Sequence, residues 1–278
     1  MGTEFSVKYV DAGGVRTRAL QAGQGEDLIF LHGTSGHLEA FSRNIAAHAE
    51  HFRCHAIDML GHGLTEKPDY LYERARYVEH LLAYMDAEKI DKAHLCGESL
   101  GGTVAAWFAS EHPERIGKLS LVAAGGTVAN PANMKRLKET TTEAAMNDDP
   151  ALTRKRLELL MFEPEGNVTD ELVDIRYRVY HQPDFQQNLD NLLCLQDMEV
   201  RSRNLLDEDR MARIQAPTLV VWPRENPLGE MSQASEMHEG IRGSELVIFE
   251  GCGHWPQYEQ PERFNEAHLA FLRGTAAP

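Results

Sequence analysis

The sequence is poor in positive charge, in cysteine and in long apolar runs. Its 28 Lys and Arg residues are outnumbered by 43 Asp and Glu residues, and the formal net charge of −15 argues against a nucleic-acid-binding surface. The four cysteines form no Cys-x-x-Cys pair and no zinc spacing. No apolar run approaches the roughly 18 residues of a membrane span, and the start MGTEFSVKYV lacks the basic and apolar regions of a secretory signal. We therefore expect a cytoplasmic protein with no membrane or nucleic-acid partner.

The apolar runs that are present predict an α/β fold. Strands are predicted where short apolar or alternating runs lie between turn residues, and helices where apolar residues recur every three to four positions. The predicted strands are 5–10, 15–20, 27–31, 52–57, 93–96, 119–123, 217–222 and 246–249, and the predicted helices are 38–51, 72–86, 100–112, 131–146, 152–161, 231–239 and 262–272. Strands that alternate with helices imply a mostly parallel central sheet flanked by helices.

Residues 131–213 interrupt this alternation, because they contain charged amphipathic helices and no strand pattern. We expect residues 1–126 and 214–278 to form an α/β core and residues 127–213 to form a helical lid inserted between strands 6 and 7. Ligands of such sheets bind at the carboxyl ends of the strands, so the lid is expected to cover a site there.

Gly97-Glu98-Ser99-Leu100-Gly101-Gly102 carries the strongest chemical signal in the sequence. It follows the apolar run Ala-His-Leu-Cys and opens an alanine-rich helix, which is the strand–turn–helix context of a nucleophile elbow. At the tip of that turn Ser99 would lie at a helix N-terminus, whose partial positive charge favours developing negative charge. We therefore predict Ser99 as a catalytic nucleophile; the alternative is a serine that only caps the helix.

Two further motifs supply what acyl transfer by a serine requires. Leu31-His32-Gly33-Thr34 follows a predicted strand, and the backbone N–H groups of Thr34 and Leu100 are predicted to form the oxyanion hole. His32 is predicted to shape this loop rather than to act as a base. Gly251-Cys252-Gly253-His254-Trp255 follows the last strand, and His254 is predicted as the general base that takes the serine proton. The alternative for His254 is a surface-loop histidine.

These motifs, together with the turn Asp58-Met59-Leu60-Gly61-His62-Gly63, resemble those of the α/β-hydrolase superfamily over about residues 15–272. Within it the chain most resembles the meta-cleavage-product hydrolases, through Cys252-Gly253-His254-Trp255-Pro256-Gln257, Glu262-Arg263-Phe264-Asn265 and the stretch from Val168 to Tyr177. Those enzymes cut a carbon–carbon bond in vinylogous diketones from aromatic-ring degradation. The resemblance implies the α/β-hydrolase fold and no cofactor.

The resemblance also implies which residues contact the substrate. An arginine at the position of Arg176 would grip the substrate carboxylate, a task that suits a bidentate guanidinium. Gly33 and Trp255 would line the site. The alternatives are a solvated charge on an amphipathic helix for Arg176 and core packing for Trp255.

The sequence departs from the family pattern at the acid of the triad. Where the family has a Gly and, three residues later, an Asp, this chain has Pro223 and Asn226. We predict that Glu225 reaches His254 and orients it, because a carboxylate stabilises an imidazolium better than an amide does. The alternative is that Asn226 holds His254 and that Glu225 is a solvated loop acid.

Two more departures concern substrate choice. Thr34-Ser35-Gly36-His37 replaces a glycine-rich loop, and Glu98 replaces an Asn before the nucleophile. We expect Glu98 to be a charged surface residue beneath the turn; a general acid is the alternative. The histidines between residues 48 and 55 lack the HExxH spacing, so no metal site is predicted.

The sequence thus predicts a serine hydrolase that cleaves a carbon–carbon bond in a small, partly apolar dienone acid. The alternatives are a carboxylesterase or lactonase with the same triad, and a ligand-binding pseudo-hydrolase, which the missing Asp would suit. A small molecule is the expected partner, and the sequence leaves open whether the chain forms a homodimer.

Overall fold

Eight strands form one sheet in the computed structural model, which describes residues 4–275. The strands are β1 (Phe5–Ala12), β2 (Val15–Ala22), β3 (Asp27–Leu31), β4 (Arg53–Ile57), β5 (Ala93–Glu98), β6 (Ile116–Val122), β7 (Thr218–Pro223) and β8 (Glu245–Phe249). Their spatial order is β1-β2-β4-β3-β5-β6-β7-β8. β1 pairs antiparallel with β2, and β2 pairs antiparallel with β4. All other neighbouring strands in this order pair parallel. The predicted mostly parallel sheet is confirmed.

Helices occupy most of the remaining described chain. They are α1 (Ile45–His48), α2 (Arg74–Ala87), α3 (Leu100–Glu111), α4 (Pro131–Met146), α5 (Pro150–Glu158), α6 (Asp170–Tyr180), α7 (Pro183–Gln187), α8 (Leu189–Leu192), α9 (Met198–Ser202), α10 (Glu208–Arg213), α11 (Met231–Gly240), α12 (Pro256–Glu259) and α13 (Pro261–Arg273). None of the helices within residues 4–275 has the length and apolar character needed to cross a bilayer.

The apolar run of β3 lies at the centre of the sheet, between β4 and β5. Successive side chains of a strand point to opposite faces. Ile29 and Leu31 accordingly belong to one buried cluster, and Leu28 and Phe30 to a second. Burial on both faces explains why this strand is continuously apolar rather than alternating.

Only helices lie between β6 and β7 in the structure, from α4 to α10. We call this segment the helical insert and keep the predicted limits 127–213, which remain a prediction. Asn130 and Thr169 cap α4 and α6 through their side chains, as expected of helix starts. The last helix, α10, packs on α3 of the core, so the insert is anchored at its end.

The predicted helix 38–51 is wrong as one element. The structure has a 3₁₀ turn at Leu38–Phe41 and the short α1 instead. The backbone N–H of Leu38 donates to Asp58, and the side chain of Asn44 donates to the carbonyl of Gln257 and to Asn265. These contacts with distant parts of the chain override the local helical pattern.

Candidate active site

Ser99 lies at the sharp turn between β5 and α3. Its φ and ψ of 53° and −113° fall in a region that L-residues rarely adopt, so the turn is strained. Two glycines make room for it, because a Cβ at Gly97 would overlap the backbone of Gly101, and a Cβ at Gly101 would overlap the carbonyl of Leu31. The turn holds Ser99 at the carboxyl end of the strand and the start of a helix, as predicted.

His254 lies in the loop after β8, where it is buried. Its backbone N–H donates to the carbonyl of Leu160 in the insert at 2.6 Å, which fixes the loop. Its Nδ1 lies 2.8 Å from Oδ1 of Asn226, and the backbone N–H of Leu228 donates to the same oxygen at 3.1 Å. An oxygen that receives that N–H is an acceptor, so Nδ1 of His254 carries the ring proton. Nε2 is then free to accept a proton.

Glu225 does not contact His254, and the prediction that it orients the base is wrong. Its Oε2 instead accepts the backbone N–H of Cys252 at 3.2 Å. Asn226, the alternative considered for this position, occupies the orienting position. The hydrogen bond from the backbone N–H of Leu228 to Oδ1 helps to hold the amide of Asn226 against the imidazole.

The predicted oxyanion donors lie beside Ser99. Thr34 and Leu100 line the same cavity as Ser99 and His254. Within residues 4–275 neither of the two backbone N–H groups donates to a protein acceptor. Both ring nitrogens of His32 contact backbone groups, because Nε2 accepts the N–H of Met59 and Nδ1 contacts the carbonyl of Gly33. His32 therefore shapes the loop, as predicted.

Two adjoining cavities meet at Ser99 and His254. The larger has a volume of about 690 Å³, part of it open to solvent, and extends toward α2, α9 and α11. The smaller encloses about 260 Å³ and is lined by Gly33, Glu98 and Trp255, among others. Because both cavities are lined by Ser99 and His254, a molecule bound at Ser99 can extend into both.

The comparisons with known proteins decide the family. Residues 28–261 match the family model described as alpha/beta hydrolase fold. The chain is 32% identical over 262 residues to the 2-hydroxy-6-oxo-6-phenylhexa-2,4-dienoate hydrolase of Burkholderia cepacia, which covers 90% of this chain and 89% of that protein. A structure of the meta-cleavage product hydrolase from Pseudomonas fluorescens IP01 superposes with a TM-score of 0.83 and 28% identity, over 96% of this chain and 97% of that one. This chain belongs to the alpha/beta hydrolase family.

A second relative of this hydrolase is the 2-hydroxy-6-oxo-6-(2'-aminophenyl)hexa-2,4-dienoic acid hydrolase of Metapseudomonas resinovorans. The identity is 30% over 272 residues, with 95% of this chain and 90% of that protein covered. The fold and the family predicted from the motifs are confirmed.

Glu98 of this hydrolase is not the surface residue that we expected. It is fully buried at the end of β5, and its Oε1 lies 3.2 Å from Nε2 of His254. Its carboxyl group packs against the Cα of Gly33, where a side chain would overlap it.

Burial raises the pKa of Glu98 to about 8, and the guanidiniums of Arg176 and Arg156 only partly oppose this shift. Burial also lowers the pKa of His254 to about 3. At neutral pH both groups are therefore uncharged.

Two arginines of the insert lie near the smaller cavity. Arg156 of α5 is buried and lines it directly. Arg176 of α6 is buried behind it, where Nη1 donates to the carbonyl of Ser35, and no described residue bonds to Nε or Nη2. The guanidinium carbon of Arg176 lies 5.7 Å from the centre of the Trp255 ring. The structure thus places Trp255 and Gly33 at the wall of the smaller cavity, and Arg176 lies behind that wall.

Sequence reasoning missed Arg156 and the burial of Glu98. Nothing in the local pattern of α5 distinguishes Arg156 from the solvated charges around it. For Glu98 a signal was present, because the strand that ends in the elbow is buried on both faces and its last residue shares that burial. Among residues 4–275 there is no group of three or more His, Cys, Asp or Glu side chains that could hold a metal.

Proposed function

We propose that this hydrolase cleaves a carbon–carbon bond in a vinylogous diketone acid, a meta-cleavage product of aromatic degradation. The observation that carries the proposal is that Ser99, His254 and the free N–H groups of Thr34 and Leu100 line one cavity. Two relatives that match nearly the whole chain are named for the hydrolysis of 2-hydroxy-6-oxo-hexadienoates.

In this proposal the substrate carboxylate enters the smaller cavity. Arg156 on its wall and Arg176 behind it supply the positive charge that holds the anion. Trp255 packs against the apolar dienone. This placement leaves the ketone carbonyl at Ser99, and tautomerisation of the dienol to a ketone prepares the carbon fragment to leave.

The chemical step uses Ser99 as nucleophile and His254 as base. Nε2 of His254 takes the Ser99 proton while Oγ forms a bond to the carbonyl carbon, and the N–H groups of Thr34 and Leu100 stabilise the oxyanion. When the oxyanion collapses, the carbon–carbon bond breaks and its electron pair leaves with the departing carbon fragment. This fragment then takes the proton from the imidazolium of His254. A water deprotonated by His254 then hydrolyses the acyl-serine. Asn226 holds the Nδ1 proton throughout.

The helical insert is proposed to act as the lid of this site, since Arg156 and Leu160 of the insert line the smaller cavity. A reducing cytoplasm is the proposed location. It suits the four cysteines, which are all buried and free.

The test is the decay of the visible dienone chromophore of aryl- and alkyl-substituted meta-cleavage products. We expect purified protein to remove the chromophore and the Ser99→Ala variant to leave it, because the variant has no nucleophile. No decay from protein whose Ser99 still reacts with a fluorophosphonate would refute carbon–carbon hydrolysis. A screen of p-nitrophenyl esters and lactones would then identify an esterase or lactonase.

A further inference from the structure

We propose that the larger cavity contains a second anion-binding subsite, formed by Arg74 and Arg201, that takes a carboxylate at the far end of the substrate. The preferred substrate is then a dicarboxylate, with one acid group in each cavity. This inference rests on the proposed function, because it specifies the substrate class of the same site.

Arg74, the first residue of α2, is the better buried of the two, with only 1% of its surface exposed. Its Nε donates to the backbone carbonyl of Asn204, and this bond fixes the direction of the side chain. Its Nη1 is buried and has no hydrogen-bond partner among residues 4–275, although the residue lines the cavity of Ser99. Gly126 gives the guanidinium its space, since a Cβ there would crowd Nη2. Arg74 thus presents a fixed donor that no protein group uses.

Arg201 of α9 lines the same cavity. Its Nη2 makes one long contact, 3.5 Å to the carbonyl of Val128, and its Nε is buried without a partner in the described part of the chain. Burial lowers the pKa of Arg201 to about 10. Burial, and then the charge of Arg201, lower the pKa of Arg74. Arg74 and Arg201 thus lie at the wall of one cavity, close enough for the charge of one to act on the other.

Other arginines of this chain are paired with acids. Arg18 binds Glu39, Arg53 binds Asp27 and Arg203 binds Glu73. Among residues 4–275 no carboxylate forms an ion pair with Arg74 or Arg201, in a chain that has 43 acidic residues. A buried charge without a partner is costly, and an anion supplied by the ligand removes that cost.

The rest of the larger cavity has a mixed wall. Apolar side chains such as Met134, Leu137 and Trp222 line it together with the polar side chains of Asn130, Asn133, Gln196 and Gln233. A substrate whose carbonyl lies at Ser99 has one end near Arg156 in the smaller cavity. Its other end then points to Arg74 and Arg201, and a carboxylate is the group that a pair of guanidiniums binds best.

The experiment compares two dienone acids that differ only at the end of the ketone side chain. One ends in a carboxylate and the other in the primary amide of the same acid, which has the same shape and no charge. We expect wild-type kcat/KM to be at least about tenfold higher for the carboxylate, the size of a charged hydrogen bond. In Arg201→Met, which keeps the apolar stem, the ratio of the two kcat/KM values should fall toward one. Arg178→Met, at an exposed arginine of α6 paired with Asp174, is the matched control and should keep the ratio.

Equal kcat/KM values in the wild type would overturn the inference and leave carbon–carbon hydrolysis standing. So would a preference that survives in both Arg201→Met and Arg74→Met. If the wild type cleaves neither compound, the proposed function fails, and calorimetric binding of both compounds to Ser99→Ala decides the inference separately. Tighter binding of the carboxylate that Arg201→Met abolishes would support the subsite, and equal binding would refute it.

Discussion

At the scale of single residues, the imidazole of His254 is bordered by an amide on one side and by a carboxyl group on the other. Oδ1 of Asn226 accepts a hydrogen bond from Nδ1–H, and Glu98 lies at Nε2. Relative to the family pattern, the acidic group is on the opposite side of the ring. Because Glu98 is protonated at neutral pH, no ionised carboxylate among residues 4–275 adjoins the imidazole, the proposed base.

Replacing Asn226 by Ala should lower kcat/KM for chromophore decay by at least about tenfold, because the Nδ1 proton loses its acceptor and the ring its orientation. Glu225→Gln is the matched control, since glutamine keeps an oxygen for the N–H of Cys252, and its kcat/KM should stay within about twofold of wild type. Steady-state kinetics on purified variants measure both. A loss in Glu225→Gln alone would restore the glutamate as the orienting acid.

Glu98 should make the stability of the protein depend on pH in a specific direction. Its pKa rises from 4.5 in the unfolded chain to about 8 in the fold, so the folded state binds the proton more tightly. The resulting stability is fully present below pH 4.5 and is lost as the pH rises through 8. Between pH 6.5 and 8 the free energy of unfolding of wild type should fall by about 2 kcal/mol relative to Glu98→Gln.

Urea unfolding of both proteins at each pH measures this difference. His254, whose pKa is about 3 in the fold and 6.5 in the unfolded chain, loses its remaining proton in the unfolded state over this interval, but it does so in both proteins, so its contribution cancels in the difference. Parallel curves for the two proteins across pH 6.5 to 8 would show that Glu98 is already ionised in the fold.

At the scale of elements, the turn between β5 and α3 stores backbone strain at Ser99. Glycine has no Cβ and adopts positive φ without that strain. Ser99→Gly should therefore be more stable than Ser99→Ala by about 1 kcal/mol in chemical denaturation. At Ser110, inside α3, the order should reverse, because glycine in a helix is less stable than alanine by about 1 kcal/mol. If Ser99→Gly is the less stable variant at the turn, the backbone there is not strained.

At the scale of the whole molecule, the core and the helical insert share one hydrophobic cluster. Leu95 and Leu121 of the sheet belong to the same cluster as Tyr180 and Phe185 of the insert. Exposing the insert alone would open that cluster, so we expect a single unfolding transition with equal calorimetric and van't Hoff enthalpies. Differential scanning calorimetry measures both, and two separate transitions would show that the insert unfolds independently.

The features of the fold that could be predicted depend on residues that are close together in the sequence. The strand Asp27–Leu31 is buried on both faces, so a short continuous apolar run identified it. Ser99 and His254 could be predicted because glycines and strand ends surround them within a few residues. The helix predicted for 38–51 failed because Asn44 and Leu38 bond to partners far along the chain.

The parts of the site that could not be predicted depend on how distant segments meet. Whether Glu225 or Asn226 faces His254 is decided by the backbone of a loop, and both side chains suit the task chemically. Arg74, Arg156 and Arg201 look like solvated charges on helices. Only the packing of the insert over the sheet buries them at cavity walls.

The strained turn at Ser99 has a consequence for how this protein can change under selection. A screen that rewards heat resistance alone would favour glycine at position 99, because glycine relieves the backbone strain of the turn and so stabilises the fold. A screen that rewards turnover would reject the same codon, since the nucleophile would be lost. Relatives that keep the fold but have lost catalysis are thus expected to lack serine at position 99.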